Sequence, residues 1–217
     1  MRGTMRLLPL LVLPLLALAG SPAVAIEKPK HQVVRAYPGF EVREYATYLV
    51  AETEVTGTRE EAGNRGFQTL AAYIFGKNKG ERKLAMAAPV TQSEGTKLAM
   101  TAPVTQTANP MADGTRWTVQ FLIPSAFTLA TVPEPFDPAV VLREVPSRQM
   151  AALRYSGTWS EARYQSHLQE LRAAMAREGL KALGEPVWAR YDPPFMPWFM
   201  RTNEILIEVG KRADTAP

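Results

Sequence analysis

Residues Glu41–Ala62 recur, weakly but in register, as Val141–Ala162. Seven of 22 positions match at an offset of 100: Arg43/Arg143, Glu44/Glu144, Ala51/Ala151, Gly57/Gly157, Thr58/Thr158, Glu61/Glu161 and Ala62/Ala162. Average residue usage would give roughly one or two matches by chance. Each copy reads as strand, turn, strand, glycine and helix start. Thr58-x-x-Glu61 and Thr158-x-x-Glu161 both have the spacing of a capping box, in which the two side chains satisfy orphan N–H groups reciprocally. The predicted helices carry apolar stripes, Phe67, Leu70, Ala71 and Ile74 in the first and Tyr164, Leu168, Leu171 and Met175 in the second. Gly76 and Gly179 stand where each should stop. More strands follow each helix: Trp117–Ile123 in the first half, Val187–Tyr191 and Glu204–Val209 in the second. A fold that takes this sequence must therefore house two pseudo-repeated ββαββ halves joined by the proline-rich stretch Pro124–Pro138. The expectation is one α+β domain over residues 26–210, a curved or barrel-like antiparallel sheet flanked by two main helices.

A second, tighter repeat lies inside the first half. Lys83–Gln92 and Lys97–Gln106 agree at nine of ten positions. Apolar residues alternate in each (Leu84, Met86, Ala88, Val90; Leu98, Met100, Ala102, Val104), the period of a half-buried strand. Pro89 and Pro103 cannot donate to a central ladder, which predicts sheet edges or bulges where a ligand could approach.

Residues 1–25 read as a secretory signal peptide: Arg2 and Arg6, an apolar run from Leu7 to Ala19, then Ala23-Val24-Ala25 as a cleavage pattern. The run is short and broken by Pro9 and Pro14, so no stable membrane insertion is expected after cleavage. The protein is then exported, to the periplasm or beyond. Cleavage lowers the net charge from +4 to about +2, no footprint for nucleic acid. With no cysteine among 217 residues, disulfides, thiolate catalysis and Cys-ligated metals are excluded. Residues 211–217 read as a disordered tail.

Candidate chemistry is sparse. His31 sits in the N-terminal arm, and His167 lies at the edge of the second helix's apolar stripe. That makes His167 a weak candidate metal or haem ligand against a half-buried structural role. Met86 and Met100 could ligate soft metals, but their alternation with Leu and Val favours the core. The carboxylates suit helix starts and cross-strand ion pairs better than acid–base work, and no nucleophile elbow or phosphate loop occurs. No enzyme is expected, although a carboxylate such as Glu204 in a cleft could act as a base. The segment Tyr191–Glu204 is stiffened by three prolines and made apolar by Phe195, Met196, Trp198, Phe199 and Met200. It reads equally as a pocket wall or as a plug for one end of the core.

These segments together resemble the SOUL haem-binding protein family. The matching stretches are Phe40-Glu-Val-Arg-Glu-Tyr45, Leu70-Ala-Ala-Tyr-Ile-Phe-Gly76, Lys97-Leu-Ala-Met-Thr-Ala-Pro-Val104, Tyr191-Asp-Pro-Pro194 and Arg201-Thr-Asn-Glu204. The resemblance implies a distorted antiparallel β-barrel built by internal duplication and flanked by two helices. It also implies a non-covalent haem or porphyrin ligand and no settled catalytic role. Where some members carry a candidate axial histidine, this chain has Glu44. The family's apolar groove maps onto Phe67, Leu70, Ala71 and Ile74 of the first helix and Phe195, Met196 and Trp198 of the loop. Arg65 and Arg201 would meet the propionates, and Ala72 and Met196 stand where other members have lysines. The resemblance, taken with the export signal, thus implies tetrapyrrole binding in the cell envelope for carriage, scavenging or sensing. The alternative is an effector-sensing or protein-interaction module of the gyrase-inhibitor type with no tetrapyrrole.

Overall fold

The computed structural model describes residues 27–94, 116–192 and 195–210. The segment read as a signal peptide, the second decapeptide Lys97–Gln106 and the expected tail lie outside the described residues. Nine antiparallel strands form one sheet: β1 (His31–Tyr37), β2 (Phe40–Tyr45), β3 (Tyr48–Thr56), β4 (Val90–Glu94), β5 (Arg116–Leu122), β6 (Val141–Val145), β7 (Arg148–Ser156), β8 (Val187–Arg190) and β9 (Thr202–Val209). Their order is β1-β2-β7-β9-β8-β4-β5-β3-β6. Helix α1 (Arg59–Ile74) follows β3 and helix α2 (Glu161–Arg177) follows β7. The element order expected of each half is therefore present, with β1 as an added edge strand where an extended arm was expected.

Both helices pack on one face of the sheet. Leu70, Tyr73 and Ile74 of α1 bury against Leu49, Val119 and Phe121. Tyr164, Leu168 and Leu171 of α2 bury against Leu153, Trp188 and Ile205. Residues of the opposite parity, Tyr45, Met150, Ala152 and Leu206, form a smaller core on the other face. The sheet curls around that second face. Tyr45 of β2 and Val50 of β3, second and eighth in the order, line one shared void of only 30 Å³. The result is a half-barrel with edges at β1 and β6, whose strands close to a void of that size where β2 and β3 approach.

The helix starts differ from one another. Thr58 caps α1 in a full capping box, accepting from the Glu61 amide at 3.3 Å while the Thr58 amide donates to Glu61 Oε2 at 3.1 Å. The matching box expected at Thr158 does not form; Ser160 is the N-cap of α2 and its side chain makes no capping bond. Trp159, inserted between them, turns inward, and its Nε1 donates to Asn203 Oδ1 at 2.9 Å.

The first decapeptide also departs from expectation. Residues 83–89 are loop, and the strand begins only at Val90. That strand is central, flanked by β8 and β5. Pro89 precedes it, so no ladder donor is lost. Leu84 and Ala88 are buried, but Met86 is 39% exposed rather than core.

Burial of phenols gives the fold a pH limit. Tyr73, whose hydroxyl donates to the Pro133 carbonyl at 2.8 Å, and Tyr155 have pKa values pushed up to about 12 by desolvation. The native state holds these protons more tightly than the unfolded chain, so their contribution is complete below the ordinary tyrosine value and is lost as pH rises toward the folded value. Urea midpoints are expected to hold to about pH 9 and to fall between about pH 10 and 12. Tyr73→Phe should flatten that fall; an unchanged slope would refute the assignment.

Candidate ligand-binding site

Helix α1 sits on β3 and β5, while α2 sits on β7 and β9 and reaches Trp188 of β8, so the central pair β4–β8 runs along the gap between the helices. Register places Val90 opposite Arg190 and Gln92 opposite Trp188. These four side chains point to the helix face by strand alternation and floor a trough between the helices.

One part of the trough is apolar, a cleft of 430 Å³, within the range of about 300–1,000 Å³ typical of ligand pockets. Phe67 of α1, Met86 and Ala87 of the loop between α1 and β4, Val90, Val119 and Phe195 line it. Phe67 is 39% exposed and packs edge-on against Phe121 at 5.2 Å. Phe195 stands out at 85% exposure, with no core to hold it. Gly63 and Gly66 keep α1 close to the sheet here: a Cβ on Gly66 would lie 2.5 Å from Val119. That close approach lets the helix backbone itself form one wall.

The other part, toward the N-termini of both helices, is a wider recess of 820 Å³ lined by Thr58, Arg59, Glu60, Trp117, Ser160 and Glu161, among others. Asn64, Trp159 and Arg190 belong to both parts, so the trough is continuous. The Arg59 guanidinium lies 3.8 Å over Tyr164 and 4.8 Å over Trp117. Arg190 lies 4.1 Å over Trp188 and 5.0 Å over Trp159. Burial lowers the Arg190 pKa to about 10, because the site withdraws water from the cation and offers little charge in return.

The residues expected to form the groove are thus distributed unequally. Phe67 and Phe195 line the cleft. Leu70 and Ile74 are fully buried in the core beneath α1, and Ala71 is 8% exposed there; a full 3.6-residue stripe cannot serve both the sheet and a guest. Met196 and Trp198 are not among the cleft's lining side chains; the Met196 carbonyl accepts from Arg201 Nε at 2.8 Å, and Trp198 stacks edge-on against Phe199 at 5.6 Å. Arg201 lies 4.4 Å over Trp159. Arg65 turns back to donate to the Thr56 carbonyl. His167 lies on α2 against Tyr155 and 3.1 Å from Glu170, away from the trough. Glu204 lies on the sheet's other face, bonded to Arg43 and to Tyr191. Among the described residues, no group of three His, Asp or Glu side chains could hold a metal ion.

Sequence reading missed Arg59, Trp159, Trp188 and Arg190. The strand Val187-Trp-Ala-Arg190 carried a usable signal: alternation puts Trp188 and Arg190 on one face, and a tryptophan there draws the arginine to the same surface.

An inter-helix trough over a curled antiparallel sheet, apolar at one end and cationic at the other, defines a small-molecule binding domain. The profile of the SOUL heme-binding protein family matches residues 26–208, and the chain belongs to that family. It is 27% identical over 172 residues to heme-binding protein 1 of Xenopus laevis, covering 76% of this chain and 84% of the relative. The Xenopus tropicalis protein of the same name is 27% identical over 175 residues, with the same coverage. Among solved structures, the EcmrR C-terminal domain shares the fold with a TM-score of 0.57 at 10% identity, covering 84% of this chain and 99% of that one. An uncharacterized conserved protein from Listeria innocua gives 0.53 at 14% identity, covering 86% and 94%.

Proposed function

We propose that the protein is a non-enzymatic, non-covalent binder of haem or another tetrapyrrole, exported to the cell envelope for carriage, scavenging or sensing. The observation that carries this reading is the 430 Å³ apolar cleft in a member of a family described as haem-binding. The lining fits a flat apolar group: Phe67 and Phe195 offer aromatic surface, and Val90 and Val119 offer aliphatic floor. Burying a planar guest there contributes roughly 25 cal/mol per Å², much of it offset by association costs, so an affinity of about micromolar is expected. Bound haem would supply the iron and the absorbance. The cleft's own task is to stack the rings and exclude water. Neither described histidine lines it, and the Tyr191 hydroxyl is committed to Glu204 at 2.6 Å. Met86 is the soft donor on its wall.

The test is a haemin titration of the chain from Ile26. A Soret shift saturating at one equivalent supports the reading, and Phe67→Asp, which puts a carboxylate on the aromatic wall, should weaken binding about tenfold or more. Non-saturating, adsorption-like change would overturn it. A second reading has an observation of its own: Phe195, Trp198, Phe199 and Met200 are all exposed on one short segment, the kind of patch that docks a protein. Recovery of a stable, pigment-free complex from the native envelope would favour that role.

A further inference from the structure

We infer that the recess between the two helix N-termini is an anion subsite, in which Arg59 and Arg190 hold the acidic groups of an amphipathic guest whose apolar body lies against Phe67, Val90 and Phe195. In naming that guest a dicarboxylic tetrapyrrole, the inference rests on the function proposed above. The anion subsite itself does not.

Unmade bonds point to it. Arg59 Nε and Nη1 are buried and find no hydrogen-bond partner of good geometry within the protein. Buried donors are seldom left so, because each costs its full desolvation. Both are donors of a residue lining the recess, so the partner they lack is an acceptor; the unpaired acceptor Gln92 Oε1 lies in the adjoining apolar part of the trough. Glu161 Oε2 comes within 3.3 Å of Arg59 Nε but is out of hydrogen-bond alignment, and its side chain is 56% exposed. No carboxylate among the described residues lies within ion-pair distance of Arg190. Glu60 and Glu161 also line the recess, but both are exposed at its rim, where water and salt screen them. Both helices begin here, and α2 begins without a side-chain cap, so its first amides add donors of the same sense. The lowered pKa of Arg190 agrees with a cation short of counter-charge. An arginine needing a carboxylate is also a selectivity device, because a neutral or cationic guest would leave it unpaired.

The experiment compares metal-free protoporphyrin IX with its dimethyl ester, the same ring without charge, against the wild-type chain, Arg190→Gln and Glu161→Gln. The wild type is expected to favour the diacid about tenfold or more. In Arg190→Gln the ratio should fall toward unity. That variant removes an unpaired buried charge and should fold normally, as urea unfolding will report. In Glu161→Gln, which frees Arg59 of its competitor, the ratio should rise, a gain that structural damage would not produce. An unaltered ratio in Arg190→Gln, or a lowered one in Glu161→Gln, would overturn the subsite while leaving tetrapyrrole binding intact. If neither porphyrin binds, the tetrapyrrole reading fails, and 8-anilinonaphthalene-1-sulfonate decides the subsite alone. Binding that weakens in Arg190→Gln keeps it, and equal or absent binding overturns it.

Discussion

Glu204→Ala is expected to cost the folded chain about 3–5 kcal/mol, the usual price of stranding a buried charge. Arg43 Nη1 donates to both carboxylate oxygens of Glu204 at 3.0 Å, and the side chains are 8% and 6% exposed. Burial by itself would lower the Arg43 pKa, but the facing Glu204 charge and the bonds to Glu41 and Tyr45 together outweigh it and raise the value above that of a free arginine. Tyr191 is pushed up by burial first and then by the same carboxylate. Removing Glu204 leaves Arg43 with Glu41, whose side chain is 42% exposed, and takes the acceptor from the Tyr191 hydroxyl. The alanine variant measures a broken pair rather than the pair's worth. Arg43→Met with Glu204→Leu, filling the space with apolar atoms, should recover most of the loss. Urea unfolding of the three variants gives the answer. A cost below about 1 kcal/mol for Glu204→Ala would mean that water reaches the pair.

Leu70→Ala should cost about 2–5 kcal/mol, the range for emptying a buried leucine site, while leaving the haemin affinity of the folded protein unchanged. Leu70 is fully buried between α1 and the sheet, among Leu49, Val119 and Phe121. The family groove would have made it a ligand contact. The two assignments diverge in one pair of measurements, urea unfolding and a haemin titration. A variant of near wild-type stability with lost binding would return Leu70 to the groove.

What the sequence disclosed follows from periodicity. The stripes Leu70–Ile74 and Tyr164–Met175 located both helices and their buried faces, because burial against a sheet selects residues three and four apart. The helix starts were half legible. Thr58 formed its box, whereas the identical spacing at Thr158 gave way to Trp159, whose indole found Asn203. A capping pattern states a local preference, and a buried hydrogen bond can outweigh it. Strand edges were misjudged at Pro89, because a proline just ahead of a strand and one inside it look alike in sequence. The site was the least legible part. Its aromatic half could be guessed from Phe67, which meets the core only edge-on at Phe121, and from Phe195, which has no core to hold it. Its cationic half depends on the β4–β8 pairing, which joins residues about a hundred positions apart and leaves no trace in either segment.

The pairing of β4 with β8 joins the two halves directly under the trough. A guest resting against both α1 and the Trp159 side would therefore act as a rivet across the joint, and its binding energy would appear as resistance to melting of the whole molecule. A thermal-shift survey of colourless compounds could thus find a physiological ligand that no absorption spectrum would reveal.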